Sequence, residues 1–247
     1  MRLLPPLRPS TAIAMLAVAA MLAYALTGAG PYGLRVLTLA GVWALNVAGY
    51  QFIFGHAGAL SLAQGTFFGI GAYASALASL HLGAEFALTM PLAVAAASLV
   101  AAAVAVPVLR LETHYLALAT LGISQVALLV AVNWESATGG ANGLPNVPGI
   151  VLFGVALGRG LPTFVAVWIC VGAGLAIAGL VLSPWRRLRY ALQRERPLAA
   201  AAVGIDRASL RFAALLLSAA FGGAAGALYV HTTRVISPDA PPSRSWC

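Results

Sequence analysis

Six residues that could take part in binding or catalysis lie in a stretch of the sequence without charged side chains. Residues 36–84 contain no Asp, Glu, Lys or Arg. The six residues are Asn46, Gln51, His56, Gly58, Ser61 and Gln64. The charges of a zwitterion are costly in hydrocarbon, so amides and hydroxyls here could bind one along a path through a membrane. The alternative for each amide is a hydrogen bond between helices, and for His56 it is a structural hydrogen bond.

A second possible chemistry is nucleophilic or acid–base catalysis inside a membrane, which needs a Ser–His pair, carboxylates or metal ligands at that depth. His56 and Ser61 are five residues apart, a spacing that does not favour side-by-side placement on a regular helix. No acidic residue falls within a predicted span, and Cys170 and Cys247 lack metal-ligand spacing. We expect no metal and no cofactor. An intramembrane hydrolase or lipid-linked transferase remains the alternative function.

The composition predicts an integral membrane protein. The chain is 61% hydrophobic and 8% charged, whereas soluble domains carry about 25% charged residues. All 14 basic residues are Arg, so the chain has no Lys for a P-loop or for a Schiff base. The net charge of +8 is explained by cytoplasmic loops, and we expect no nucleic-acid partner.

Charge-free windows, each long enough for one or two helices of about 20 residues, predict an all-α, polytopic transmembrane fold of about seven spans. The predicted spans are 11–28, 34–54, 66–82, 87–108, 114–133, 161–183 and 211–231. Seven Arg residues in 184–211 predict a cytoplasmic segment. Counting back six spans places the N-terminus, with Arg2 and Arg8, in the cytoplasm as well, and leaves 134–160 outside.

Glycines interrupt the second and third spans. Gly55 and Gly58 flank His56 and are expected to break the helix there. The glycine pairs Gly65/Gly69 and Gly222/Gly226 each have G-x-x-x-G spacing, which predicts close helix packing. The break is either a cytoplasmic turn before a packed helix or a re-entrant segment lining a water-filled path, because non-helical backbone at membrane depth must be buried or line such a cavity.

Three stretches resemble one family in order along the chain. They are "GHAGALSLAQGTFFGIGAYASALA", "YLALATLGISQVALLVAVNWESATGGANGL" and "ALQRERPLAAAAVGIDRASLRFAALLLSAAFGGAAGALYVHTTRVISPD". The chain thereby resembles the LivM-type permeases of branched-chain amino acid ABC importers over about residues 34–239. The resemblance implies a second, homologous permease, two ABC ATPase subunits and a periplasmic substrate-binding protein as partners, in the inner membrane of a bacterium. It leaves open whether the substrate is a branched-chain amino acid, another amino acid, urea or an amide.

The resemblance also implies an ATPase-coupling segment in the cytoplasmic loop. Residues that match the family's pattern are Arg194, Glu195, Ala199, Ala200, Gly204 and Ile205. Two acidic positions of that pattern are Pro197 and Ala201 here. Locally, Gly204 can end a short helix in a left-handed cap, and Asp206 can cap the helix that follows. The alternative is an ordinary basic loop.

The end of the sequence departs from the family. After the Ser-Pro-Asp turn, the family continues into a further glycine-rich membrane segment, whereas this chain ends in "PPSRSWC". We therefore expect 1–239 to be a transmembrane permease domain that is incomplete at its C-terminal end, and 240–247 to be an atypical tail. A non-functional truncated permease is a further alternative.

The predicted topology can be tested by cysteine labelling from outside the cell. After replacement of Cys170 and Cys247, a thiol at Ser136→Cys should react with an impermeant reagent, and one at Ser209→Cys should react only after the membrane is opened. The opposite pattern would contradict the orientation that the Arg distribution predicts.

Overall fold

The computed structural model describes residues 30–108, 113–152, 154–182 and 206–237, together with seven single residues: Met21, Tyr24, Ala25, Gly28, Tyr190, Leu192 and Gly204. Most of the predicted first span, 11–28, lies outside the described residues. So do most of the Arg-rich segment, 184–211, and the tail, 240–247.

Seven helices and a two-stranded ribbon make up the described chain. They are α1 (Pro31–Gln51), α2 (Gln64–Leu82), α3 (Phe86–Val108), α4 (Thr113–Asn133), α5 (Glu135–Thr138), β1 (Val151–Leu152), β2 (Val155–Ala156), α6 (Leu161–Val181) and α7 (Arg207–Thr233). A π-helical turn, Phe52–His56, extends α1, and a 3₁₀ turn, Gly140–Asn142, follows α5. Each of the six predicted spans from residue 34 onward coincides with a helix.

Five of the described helical stretches are long and apolar enough to cross a membrane: 31–56, 86–107, 115–133, 161–181 and 208–233. The prediction of an all-α polytopic membrane fold is confirmed. α7 is the central helix, because 72% of its apolar stretch is buried inside the chain, against 11% in α4 and 17% in α6. α1, α2 and α3 pack around α7, which leaves α4 and α6 at the periphery.

Small residues let the central helices approach closely. A Cβ on Gly71 of α2 would collide with the backbone of Gly223 in α7, and a Cβ on Gly226 would collide with the carbonyl oxygen of Phe68. On α3, every fourth residue of the facing stripe is a fully buried alanine: Ala93, Ala97, Ala101 and Ala105. The backbones of α2, α3 and α7 therefore come closer together than larger side chains would allow.

The four glycines predicted for helix packing divide into two groups. Gly222 and Gly226 face α2 at close range. For Gly65 and Gly69 the packing role stays a prediction, because a Cβ at either position would meet no atom within 4 Å among the described residues. The reason is helical phase: Gly71, two residues beyond Gly69, lies on the face of α2 that meets α7.

The segments predicted to lie outside the membrane meet at one end of the bundle. The Leu144 N–H donates to the Ile236 carbonyl (2.8 Å), and the Gly154 N–H donates to Oε1 of Glu85 (3.0 Å). The 134–160 loop thus joins the α2–α3 turn and the C-terminal end of α7. At the other end of α7, Asp206 accepts from the N–H groups of Ala208 (3.0 Å) and Ser209 (3.2 Å). The predicted helix cap is confirmed.

Two alanine substitutions in α2 separate close packing from helix propensity. Gly71→Ala should lower the free energy of unfolding in detergent by about 1–3 kcal/mol, because the added methyl group meets backbone that cannot move aside. Gly69→Ala is the matched control and should be neutral or stabilising by up to about 1 kcal/mol, since alanine favours the helix. Equal effects of the two substitutions would contradict the assigned interface.

Candidate functional site: the break between α1 and α2

The chain leaves α1 through a defined left-handed turn. The Ala57 N–H donates to the Phe52 carbonyl (3.1 Å), and the Ala59 N–H donates to the Ile53 carbonyl (3.0 Å). Gly58 has φ +63°, where a side chain is strained and glycine is not. From there to Ala63 the backbone is not helical. The predicted break in the glycine-rich segment is confirmed, and Gly58 forms its turn.

Two hydroxyl groups of α4, Thr120 and Ser124, bind the backbone of the break; we call them the hydroxyl clamp. The Leu62 N–H donates to Oγ1 of Thr120 (2.9 Å), and Oγ of Ser124 shares its one hydrogen between the carbonyls of Leu62 (3.1 Å) and Thr120 (2.9 Å). Oγ1 of Thr66 donates in turn to Oγ of Ser124 (3.0 Å). Both polar backbone groups of Leu62 therefore have a hydroxyl partner on α4, as non-helical backbone within a membrane protein requires.

Gln64 ties together three helices where α2 begins. Its Nε2 donates to Oδ1 of Asn46 in α1 (2.9 Å) and to the Ser218 carbonyl in α7 (3.3 Å). Oγ of Ser218 donates to Oε1 of Gln64 (2.6 Å). For Asn46 and Gln64 the structure thus contains the interhelical hydrogen bonds of the alternative interpretation. Gly49 and Gly222 leave room for the Gln64 side chain, since a Cβ on either would lie 3.1–3.2 Å from Nε2 of Gln64.

Gln51 and His56 lie on the more accessible side of the break, and Ser61 lies inside it. Gln51 is exposed, and its side chain occupies the space that a Cβ on Gly55 would need. Nδ1 of His56 donates to the Gln51 carbonyl (2.9 Å), and its ring lies between Phe52 and Tyr190. Ser61 is buried and accepts from the Ala63 N–H (3.4 Å). His56 and Ser61 therefore do not form a nucleophile–base pair.

A comparison with known protein families identifies the class of protein to which this break belongs. The family described as "Branched-chain amino acid transport system / permease component" matches residues 32–245. The chain belongs to this family. The match covers α1 from its second residue, the helices α2 to α7, and the break between α1 and α2.

Two curated members of the family are similar to the chain. Each is a "High-affinity branched-chain amino acid transport system permease protein LivM", one from Escherichia coli (strain K12) and one from Salmonella typhimurium (strain LT2). Each is 30% identical to this chain over 228 residues, which cover 83% of this chain and 53% of the relative. The chain spans about half the length of these relatives. No solved structure matches it.

A buried histidine of α7 joins α2, α3 and the 134–160 loop. Nδ1 of His231 donates to the Pro148 carbonyl (2.8 Å), which leaves Nε2 to accept from Oγ of Ser75 (2.9 Å) and from Oγ1 of Thr89 (3.2 Å). Ser79 lies 3.5 Å from the same nitrogen. The sequence analysis missed this cluster; its signal was a histidine two residues before the end of α7, together with hydroxyls at i and i+4 in α2.

The Ser75–His231 hydrogen bond is as short as that of a catalytic dyad, but it lacks the substrate access and the carboxylate partner that a dyad needs. Ser75 is completely buried and His231 is 2% exposed, so a substrate has no access to the hydroxyl group. The second ring nitrogen donates to a backbone carbonyl rather than to a carboxylate. The cluster therefore fixes α2, α3 and the 134–160 loop to α7, and it does not support the intramembrane enzyme.

Of the predicted coupling segment, the structure describes only Gly204. The residues of the segment that lie outside the described residues are Arg194, Glu195, Ala199, Ala200 and Ile205. Gly204 has φ +76° and is exposed. This is the left-handed conformation that the sequence predicts for the end of a helix before the Asp206 cap.

The hydroxyl clamp can be tested with two substitutions of one residue. Thr120→Val keeps the shape but leaves the Leu62 N–H without its acceptor, so it should lower the free energy of unfolding by about 1–3 kcal/mol. Thr120→Ser keeps the acceptor and should cost less than half as much. Unfolding in detergent, followed by tryptophan fluorescence, measures both changes. A smaller loss for Val than for Ser would mean that the hydroxyl does not hold the break.

Proposed function

We propose that the chain is a transmembrane permease subunit of a bacterial ABC importer for branched-chain or related amino acids. The observation that carries the proposal is the break between α1 and α2, which puts non-helical backbone between packed helices in a chain of the permease family. A span that serves only as an anchor can be one continuous helix, which satisfies its own backbone hydrogen bonds. A route for a polar substrate needs hydrogen-bonding groups at membrane depth, and a broken segment supplies them.

The six polar and glycine residues of the break have two roles in this proposal. Asn46 and Gln64 use their amides between helices, and Gly58 and Ser61 shape the buried turn. They hold the segment in place. Gln51 and His56 keep polar atoms on the accessible side, so we assign the contacts with a passing amino acid to them. Such contacts replace part of the hydration that a zwitterion loses on leaving water.

ATP hydrolysis belongs to partner subunits in this proposal. The sequence contains no Lys, so it cannot supply the P-loop lysine that contacts the β- and γ-phosphates. We infer that two ABC ATPase subunits bind the cytoplasmic segment formed by Arg194, Glu195, Ala199, Ala200, Gly204 and Ile205. A second permease subunit completes the membrane part, and a periplasmic binding protein delivers substrate to the end formed by the 134–160 loop.

The orientation of the chain in the inner membrane follows from its arginines. The Arg-rich 184–211 segment and the N-terminus lie in the cytoplasm in this proposal. The contacts among the 134–160 loop, the α2–α3 turn and the end of α7 support it, because all three segments are then on the periplasmic side.

Copurification tests the proposed function. The tagged full chain, extracted from the membranes of its own host in a mild detergent, should bring down an ABC ATPase that mass spectrometry identifies. Recovery of the chain alone, under conditions that retain other ABC complexes, would argue against the permease.

Gly204 gives the coupling proposal a matched pair of variants. Gly204→Val should lower substrate-stimulated ATPase activity of the assembled complex several-fold, because a β-branched residue is strained at φ +76°. Gly204→Asn should retain most of it, since asparagine tolerates the left-handed region. Membrane insertion and copurification of the ATPase show that the chain is intact. Equal stimulation in the two variants would remove the coupling role from this turn.

A further inference from the structure

A cavity of about 540 Å³ opens at the end of the bundle where α1 and α6 begin and α7 ends. Three arginines line it: Arg35 from α1, Arg159 from the loop before α6, and Arg234 directly after α7. This cavity is separate from the break, and none of its three arginines has a role in the proposed function. Its volume can accommodate a small organic molecule.

The charge in the cavity is uncompensated within the described part of the chain. Among the described residues, no Asp or Glu lines the cavity. Glu85, an acidic residue at the same end of the bundle, accepts instead from the Gly154 N–H (3.0 Å). Three guanidinium groups around one concave space produce a positive potential that an anion would relieve.

Arg234 is held in a defined position. Its backbone has φ +63°, unusual for a residue with a side chain, and its carbonyl accepts from the Val147 N–H (3.1 Å). The guanidinium lies against Gly149, where a Cβ would be 2.6 Å from Nη2. Arg234 takes this conformation because it ends α7, where its N–H donates to the Val230 carbonyl (2.7 Å), and the glycine leaves room for its side chain.

The other polar groups of the cavity favour a ligand that accepts hydrogen bonds. The hydroxyl groups of Thr38 and Thr163 already donate to the carbonyls of Leu34 (2.7 Å) and Gly158 (2.9 Å). The guanidinium groups are therefore the main side-chain donors that remain. The N-terminal ends of α1 and α6 also open on the cavity, and neither has a side-chain cap. Their partial positive charge adds to that of the arginines.

We propose that this cavity binds a small oxyanion of the carboxylate class through Arg234, Arg159 and Arg35. A planar carboxylate matches the paired N–H donors of a guanidinium. A lipid phosphate could supply the same chemistry, because the cavity lies at the end of the apolar helices. Binding of the oxyanion does not depend on ATPases or on a second permease, so this proposal stands apart from the proposed function.

Binding of a soluble carboxylate is tested by isothermal titration calorimetry. The sample is the purified, delipidated full chain in an uncharged detergent. N-acetyl-leucine, which has a carboxylate and no ammonium, should bind, and leucinamide, which has the reverse, should not. Arg234→Gln and Arg159→Gln should each weaken binding at least about tenfold, as expected for a lost charge-assisted hydrogen bond. Added salt should weaken it further. Arg207→Gln is the control, because Arg207 begins α7, about 40 Å along that helix from Arg234.

Binding of a phospholipid phosphate group is tested on the same variants before delipidation. If phosphate is the natural oxyanion, native mass spectrometry should show a retained phospholipid that Arg234→Gln and Arg159→Gln lose and Arg207→Gln keeps. Arg159 lies in an exposed loop, where a substitution should not disturb folding. The Arg159→Gln variant alone therefore decides the test if Arg234→Gln does not fold. Loss of N-acetyl-leucine or of phospholipid in the cavity variants supports the proposal. Binding of neither ligand, equal binding of leucinamide, or an equal loss in Arg207→Gln would overturn it.

Discussion

The structure depends on the satisfaction of polar backbone where the chain stops being helical between apolar helices. Leu62 presents an N–H and a carbonyl in the middle of the break, and a group of this kind costs about 1–3 kcal/mol when it is left unpaired away from water. Thr120 and Ser124 supply both partners from another helix. Gln64 then anchors the start of α2 to α1 and α7. Without these contacts the segment would be driven back towards a continuous helix.

Close approach of the helices is the second requirement, and glycine meets it. α7 is the most buried of the apolar spans, and it carries Gly222, Gly223 and Gly226 where α2 and α3 pack against it. Helices that are this close gain many dispersion contacts, which replace the hydrophobic driving force that lipid does not provide. The same closeness brings Ser218 within reach of Gln64, so the small residues and the polar network depend on each other.

Much of the fold could be predicted from the sequence, because span length and the absence of charge are local properties. Gly58 and Asp206 were also predictable, since their roles depend on neighbours in the sequence. Which helix a given face meets is not a local property. The spacing of Gly65 and Gly69 puts both on one face of α2, but it does not show which element packs against that face. The hydroxyl clamp and the His231 cluster join residues that are far apart in sequence, so local spacing marks the separate hydroxyls and the histidine but not the contact between them.

The position of α4 has a consequence for the way water affects this protein. Only 11% of its apolar stretch is buried inside the chain, and the hydroxyl clamp is its polar attachment to the break. Hydrogen bonds of this kind are strong in a dry, low-dielectric setting, and they weaken when water can replace either partner. Wetting of the break and loosening of α4 are therefore thermodynamically linked. A change that admits water beside Leu62 also favours movement of the helix that closes it off.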